Sequence, residues 1–340
     1  MVRSDGPRPA RRISHLPQRH GGVAIGQGPV PAMNLAQGAR VAVIAPAARF
    51  STDRLLAGVE FLRGLGLEPV LSPHLFATDR YHAGTSAQRL ADLVWAATDP
   101  HIDAIWLARG GFGCAHLLNE LPWEILNPRP LIGFSDATAL LVALWQAGWT
   151  TTDNGHLVHG PVVQTLAPTV AQGRVAPVLI DNETRAAVRD LVAGRPVALP
   201  GRHLCGPPGL LPSGPVVGGN LTVLASLCGT PWQLQAKGCI VVLEDVGEAP
   251  YRLDRCFTQL LQAGSLTGAI GVALGQLIDA GASDADGIEY GALEVLRDCL
   301  SPLGIPVICD LPVGHGPRNL PWFFGRRGTL TASGIEWTFA

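Results

Sequence analysis

The amino-acid sequence predicts an α/β protein of two units, and three observations carry that expectation. From residue 39 onward, short β-branched runs alternate with longer amphipathic runs, the rhythm of strand–helix–strand crossovers on a mainly parallel sheet. A Pro- and Gly-rich stretch at 165–210 interrupts the rhythm and reads as a crossing between domains. A length of 340 residues is long for one compact domain and sufficient for two cores. The expected division is a disordered tail over 1–32, an N-terminal domain over 33–165, a linker region over 166–210 and a C-terminal domain over 211–340.

The first unit opens with ARVAVIAPA, a strand that ends at Pro46. STDRLLAGVEFLRGLG follows with polar caps at Ser51 and Thr52, puts Leu55, Leu56, Val59 and Leu62 on one helical face, and stops at Gly64 and Gly66. LEPVL is the next strand, and TSAQRLADLVWAATD is a second helix with Leu90, Val94 and Ala97 inward. IDAIWLA, a glycine turn and CAHLLNEL repeat the unit; RPLIGF then leads into DATALLVALWQAG. The second unit alternates again through GPVVGGNLTVLASLCG, GCIVVLEDV, APYRLDRCFTQLLQAG, AIGVALGQL, GALEVLRDCLSPLG and IPVICDL, and closes on a strand–turn–strand pattern around Gly328 and Gly334.

Composition narrows the function. Hydrophobic residues make up 47% and charged residues 15%, which is not the profile of a disordered protein. The net charge of −2 supplies no field for a nucleic acid or an anionic membrane. No segment has about 18 uninterrupted apolar residues, so no membrane span is expected. The N-terminus carries arginines without the apolar stretch of a signal peptide, and Met33 stands just before the first strand as an alternative start. Seven cysteines, an odd number with no CxxC pair, point away from zinc sites and disulfide scaffolds and towards reduced thiols in a cytosol. No metal, nucleotide or other cofactor is expected.

Four motifs could carry chemistry. GFSDAT (133–138) joins an apolar strand to a long apolar helix, so Ser135 stands on a sharp turn with the N–H of Asp136 beside it. Taken alone, the same residues suit an ordinary N-cap. ARGGFG (108–113) lets backbone approach a ligand and fails the dinucleotide fingerprint, because His116 stands where Gly or Ala belongs. Its Gly111 N–H could be an oxyanion donor; its alternative reading is a tight turn. VVLEDVGEAPYRLDR (241–255) places Glu244 and Asp245 at a strand's carboxyl end, where they could orient a histidine or cap the next helix. LPVGHGPRNLPWFFG (311–325) sets His315 between glycines, as an accessible loop base; His156 and His159 compete with it. Taken together, a serine, a carboxylate and a histidine all stand at strand ends, and these are the minimum for acyl transfer at neutral pH.

From Val41 to Phe339 the sequence resembles the LD-carboxypeptidases, a family whose relatives include the microcin-immunity peptidases. The carriers are RGGFG (109–113), LIGFSDATAL (131–140), GGNLTVLASLCGTPW (218–232), LEDVGEAPYRLDR (243–255) and GHGPRNLPWFFG (314–325). The resemblance implies a flavodoxin- or Rossmann-like N-terminal domain and a β-rich swivelling C-terminal domain. It also implies a Ser135–His315–Glu244 triad, backbone oxyanion donors at Gly111 and Asp136, and a homodimer. The implied reaction is hydrolysis of the bond from an L-centre to a terminal D-amino acid of a muropeptide in peptidoglycan recycling. An alternative is a microcin-type amide hydrolysis of aminoacyl-nucleotide analogues. NGHLV (154–158) is unusual for the family and would lengthen a loop near the site.

Overall fold

A computed structural model describes residues 33–151, 155–166, 180–195, 197–280, 282–283 and 289–337. The tail over 1–32 and Asn154 lie outside the described residues, and the end of NGHLV is no loop, because Leu157 and Val158 are buried in a strand paired with Leu131 and Ile132.

Apolar runs that alternate with helices become parallel strands, because a crossover helix returns the chain to the same sheet edge. In the first half these are β1 (Arg40–Ile44), α1 (Thr52–Gly64), β2 (Glu68–Leu71), α2 (Ser86–Thr98), β3 (Ala104–Leu107), β4 (Leu131–Gly133), α3 (Ala137–Gln146) and β5 (Leu157–His159). Next come α4 (Asn182–Val192), β6 (Ala198–Pro200) and β7 (Arg202–Cys205), within the stretch expected as linker. The second half runs β8 (Ser213–Asn220), α5 (Leu221–Ser226), β9 (Ile240–Val246), α6 (Pro250–Gln262), β10 (Gly271–Ile278), β11 (Ala282–Ser283), β12 (Glu289–Tyr290), α7 (Ala292–Leu300), β13 (Val307–Cys309), β14 (Trp322–Phe324), β15 (Arg327–Thr331) and β16 (Gly334–Glu336).

One sheet has the order β14-β5-β4-β3-β1-β2, with β1 to β5 mutually parallel and β14 antiparallel on the edge. The other has the order β6-β16-β15-β8-β9-β10-β13-β7, with a parallel centre of β8, β9, β10 and β13 flanked by antiparallel strands. Two features depart from a simple linear division. Trp322–Phe324 pairs with β5 in the first sheet, and β6 and β7 join the second. Between the sheets, α3 is buried from Ala137 to Trp145, as its all-round apolar sequence requires. Its Thr138 Oγ1 accepts from the Asn220 N–H of β8 at 3.0 Å.

Three local expectations are corrected. Leu56 is 43% exposed, and α1 instead buries Leu55, Gly58, Val59 and Leu62; a Cβ on Gly58 would collide with the Val163 carbonyl. In α2 the inward face is rotated by a residue, with Arg89, Asp92, Leu93, Ala96 and Ala97 buried. Two charged side chains turn inward there because they find partners: Arg89 donates to the Pro46 and Gly113 carbonyls, and Asp92 accepts from Ser72 and His74. CAHLLNEL forms only a short 3-10 turn over Cys114–His116. All seven cysteines are unpaired. Among the described residues no helix is long and apolar enough to cross a membrane.

Candidate active site

The turn after β4 is built by steric constraint. Ser135 has φ +63°, a left-handed value that costs a non-glycine residue about 1–3 kcal/mol and persists only where its surroundings enforce it. Ala137 N donates to the Phe134 carbonyl and Thr138 N to the Ser135 carbonyl, so the chain turns directly into α3. Two glycines make room. A Cβ on Gly133 would lie 2.7 Å from the Ala137 Cβ, and one on Gly110 would lie 2.9 Å from both the Phe134 oxygen and the Ser135 Cβ.

The N-cap alternative does not hold for Asp136, whose carboxylate makes no cap bond to α3. Its Oδ2 instead accepts from Cys114 N at 2.8 Å, tying the turn to the ARGGFG loop. Burial raises the Asp136 pKa, against the lowering effect of that hydrogen bond and of nearby Arg89. Arg89 is itself buried and clamps the same loop to the end of β1, through Pro46 O at 2.6 Å and Gly113 O at 2.9 Å. Gly111 takes φ +105°, and a Cβ there would meet the Ala48 Cβ at 2.4 Å.

Glu244 and Asp245 lie near the carboxyl end of β9 and face opposite ways, as the two-residue period of a strand dictates. Glu244 is fully buried, and its Oε2 lies 2.8 Å from His315 Nδ1. Burial raises its pKa, with the His315 contact acting in the opposite sense. Asp245 accepts from Asn220 Nδ2, from the N–H and hydroxyl of Thr222, and from Val246 N. It therefore closes the start of α5 and has no link to the histidine.

The sequence suggested a mobile, accessible His315 on an exposed loop. In the structure the side chain is 21% exposed and braced on several sides. Its Nε2 lies 3.0 Å from Ser135 Oγ, and its ring packs on Phe134 at 4.5 Å between centroids. Gly316 N donates to Gln276 Oε1 at 2.8 Å. Gln276 follows Gly275 at a register shift between β9 and β10, a bulge that re-aims a side chain beside the site. Arg318 pairs with Asp181 and Glu183 at the start of α4, and Asn319 N donates to Thr184 Oγ1.

The structure thus brings Ser135, His315 and Glu244 into one hydrogen-bonded chain, although 180 and 71 residues separate the successive partners. With Nδ1–H donating to Glu244, Nε2 is the acceptor for the serine hydroxyl. Such a chain can deprotonate an alcohol as it attacks a carbonyl. His156 and His159 do not reach it. His159 is buried between Phe134 and Trp322, and its pKa is lowered to about 3 by burial and the neighbouring His315; burial lowers His156 to about 4. Gln276, Arg89 and the Asn220–Asp245 contact were not singled out in the sequence, and only the glycine before Gln276 hinted at a bulge. Among the described residues no group of three or more His, Cys, Asp or Glu side chains could hold a metal ion.

The chain is 37% identical to the murein tetrapeptide carboxypeptidase of Pseudomonas aeruginosa over 308 residues, covering 88% of this chain and 95% of that one. It is 26% identical to the microcin C7 self-immunity protein MccF of Escherichia coli over 302 residues, covering 80% and 83%. Among solved structures, the muramoyltetrapeptide carboxypeptidase of Oxalobacter formigenes matches with a TM-score of 0.70 at 25% identity over 87% of this chain and 97% of that one. An MccF-like protein from Bacillus anthracis shares the fold, with a TM-score of 0.76 at 21% identity over 91% and 99%. Residues 41–154 match the model of the LD-carboxypeptidase N-terminal domain and residues 213–330 that of the C-terminal domain, so the chain belongs to the LD-carboxypeptidase family.

Proposed function

We propose that this chain is a serine carboxypeptidase that hydrolyses the bond between an L-centre and a terminal D-amino acid, releasing D-alanine from a murein tetrapeptide. The observation that carries the reading is the Glu244–His315–Ser135 chain at 2.8 and 3.0 Å, set in a family with a relative at 37% identity named a murein tetrapeptide carboxypeptidase.

In this mechanism His315 Nε2 takes the hydroxyl proton as Ser135 Oγ attacks the scissile carbonyl. Buried Glu244 holds the ring and stabilises the imidazolium that forms. The backbone N–H groups of Gly111 and Asp136 bind the oxyanion; those of Ala137 and Thr138 are already taken by carbonyls of the turn. Collapse of the tetrahedral intermediate breaks the C–N bond, and the departing amine receives the proton from His315. Water then attacks the Ser135 ester with His315 as base, and the shortened peptide leaves with a free carboxylate. The left-handed Ser135 backbone supports this role, since strain at such a turn serves to present a side chain. No step calls for a metal or nucleotide. Seven unpaired thiols suit a cytoplasmic setting, and the reading includes a homodimer, as the family resemblance implies.

The test uses two tetrapeptides that differ only in the hand of the terminal alanine. Inverting that centre exchanges a carboxylate and a methyl group, leaving buried polar groups unpaired at about 1–3 kcal/mol each. Release of alanine should favour the D-peptide by on the order of a hundredfold or more in kcat/KM. Equal rates would leave only a generic serine hydrolase. The microcin-type alternative rests on the more distant MccF relative at 26% identity. It predicts amide cleavage of an aminoacyl sulfamoyl nucleoside, which mass spectrometry of the leaving group would reveal.

A further inference from the structure

Arginines gather where the loop after β1 meets the glycine loop after β3. Arg49 lies at the end of the first loop, Arg54 in the first turn of α1, and Arg109 immediately before Gly110. Arg109 Nη1 donates to the Arg49 carbonyl at 2.5 Å. Arg54 is half-buried, and its Nη2 is shut off from solvent without an acceptor. Burial and the adjacent Arg109 charge both lower the Arg54 pKa, with no acid acting in the other direction.

Elsewhere Arg40, Arg195 and Arg318 each face a carboxylate. Among the described residues neither Arg54 nor Arg109 has one, and Asp53 in the same helical turn is exposed and pairs with neither. The helix adds to the imbalance. Arg54 stands at the positive end of the α1 dipole, where a cation is disfavoured, and the Ser51 side chain makes no cap bond there. Two guanidinium groups without a carboxylate partner, one of them at an uncapped helix start, suit an anion.

Its position fits one anion in particular. A Cβ on Gly110 would touch Ser135, at 2.9 Å from its Cβ and 3.3 Å from its Oγ, so Arg109 is one residue from the wall of the reacting group. In a peptide cleaved at its last bond, the terminal carboxylate lies two bonds beyond the scissile nitrogen, within about 4 Å of the attacked carbonyl carbon. A planar guanidinium matches a carboxylate through two parallel hydrogen bonds.

We propose that Arg109, supported by Arg54, binds the terminal carboxylate of the substrate and so restricts the enzyme to the last residue of a peptide. The proposal rests on the LD-carboxypeptidase reading and adds the group that makes it an exopeptidase. Arg109 is the specificity residue and Arg54 the positioning residue behind it.

The experiment compares a tetrapeptide ending in D-alanine with the same peptide ending in D-alanine amide. Wild-type enzyme should favour the free acid. R109Q should lower kcat/KM for the acid on the order of ten- to a hundredfold, mainly through KM, and leave the amide almost unchanged, so the acid-to-amide ratio collapses. R109K should fall between, keeping the charge without the fork, and R54Q should shift the ratio in the same direction by less. Arg109 is partly exposed, and an unchanged melting temperature for R109Q would show that the loss is not one of folding. The proposal is overturned if R109Q and R54Q keep the wild-type ratio, or if the wild-type ratio is near one while D-alanine is released. Absence of D-alanine release by the wild type would overturn the underlying reading and this proposal together.

Discussion

Ser135 is held by its own backbone, whereas His315 is held by side chains from three other segments. The turn after β4 needs the left-handed residue, the glycines at 110 and 133, the start of α3 and the tie from the Asp136 carboxylate to Cys114 N. The histidine loop needs Glu244 from β9, Gln276 from β10, and the acids and Thr184 at the start of α4. The first arrangement stores local strain and takes its outside support from the glycine loop after β3. The second spreads its support over long sequence separations, so substitutions far from the serine can disturb it.

Removing the serine or the histidine of the hydrogen-bonded chain should have the largest effect. S135A and H315A should each lower kcat roughly 10⁴-fold or more, because such groups act as a unit, while the melting temperature stays close to wild type. Substantial residual turnover in either variant would break the assignment of both regions. H315A should also leave the Ser135 turn intact, since none of the bonds that form the turn involves the histidine.

The adjacent acids of β9 sharpen the contrast between rate and stability. E244Q should reduce kcat by orders of magnitude. D245N should lower kcat by less, and should cost about 1–3 kcal/mol in a denaturant titration, because Asp245 binds Asn220, Thr222 and Val246 rather than the histidine. The opposite ranking in rate would transfer the orienting role to Asp245.

The smallest effect is a pH slope. His159 stays neutral in the fold down to about pH 3 and His156 down to about 4, against an ordinary value of 6.5. Below 6.5 the unfolded chain binds protons that the folded chain refuses, so stability is full above that pH and declines as pH falls towards 3. Each imidazole contributes a slope of about 1.4 kcal/mol per pH unit within its window. In urea titrations between pH 6 and 4, H159N should make the slope shallower by about one proton; an unchanged slope would show that His159 takes up its proton without penalty.

The parts of the site that were legible in the sequence are those fixed by short range. GFSDAT, LEDV and GHG each announce a strand ending in a chemical group, and the structure brings those groups together. Less legible were features decided by distant partners. Arg89 and Asp92 look like surface charges in a helical pattern, and only the carbonyls of Pro46 and Gly113 and the side chains of Ser72 and His74 explain their burial. CAHLLNEL has helix-compatible spacing, but its start is tied down by the Asp136 carboxylate and does not propagate beyond one turn. The pairing of Trp322–Phe324 with β5 is a contact across nearly half the chain, invisible to periodicity.

That edge strand bears on how the protein can be divided or recombined. His315 lies between β13, in the eight-stranded sheet, and β14, which completes the six-stranded one. No single cut in the chain separates the two sheets. A chimera that exchanged 211–340 with a relative's counterpart would import a foreign border for the first sheet along with a foreign histidine. The proton acceptor and the neighbouring border strand are inherited as one piece, so a drifting border could detune the proton transfer with every residue of the Ser135 turn unchanged.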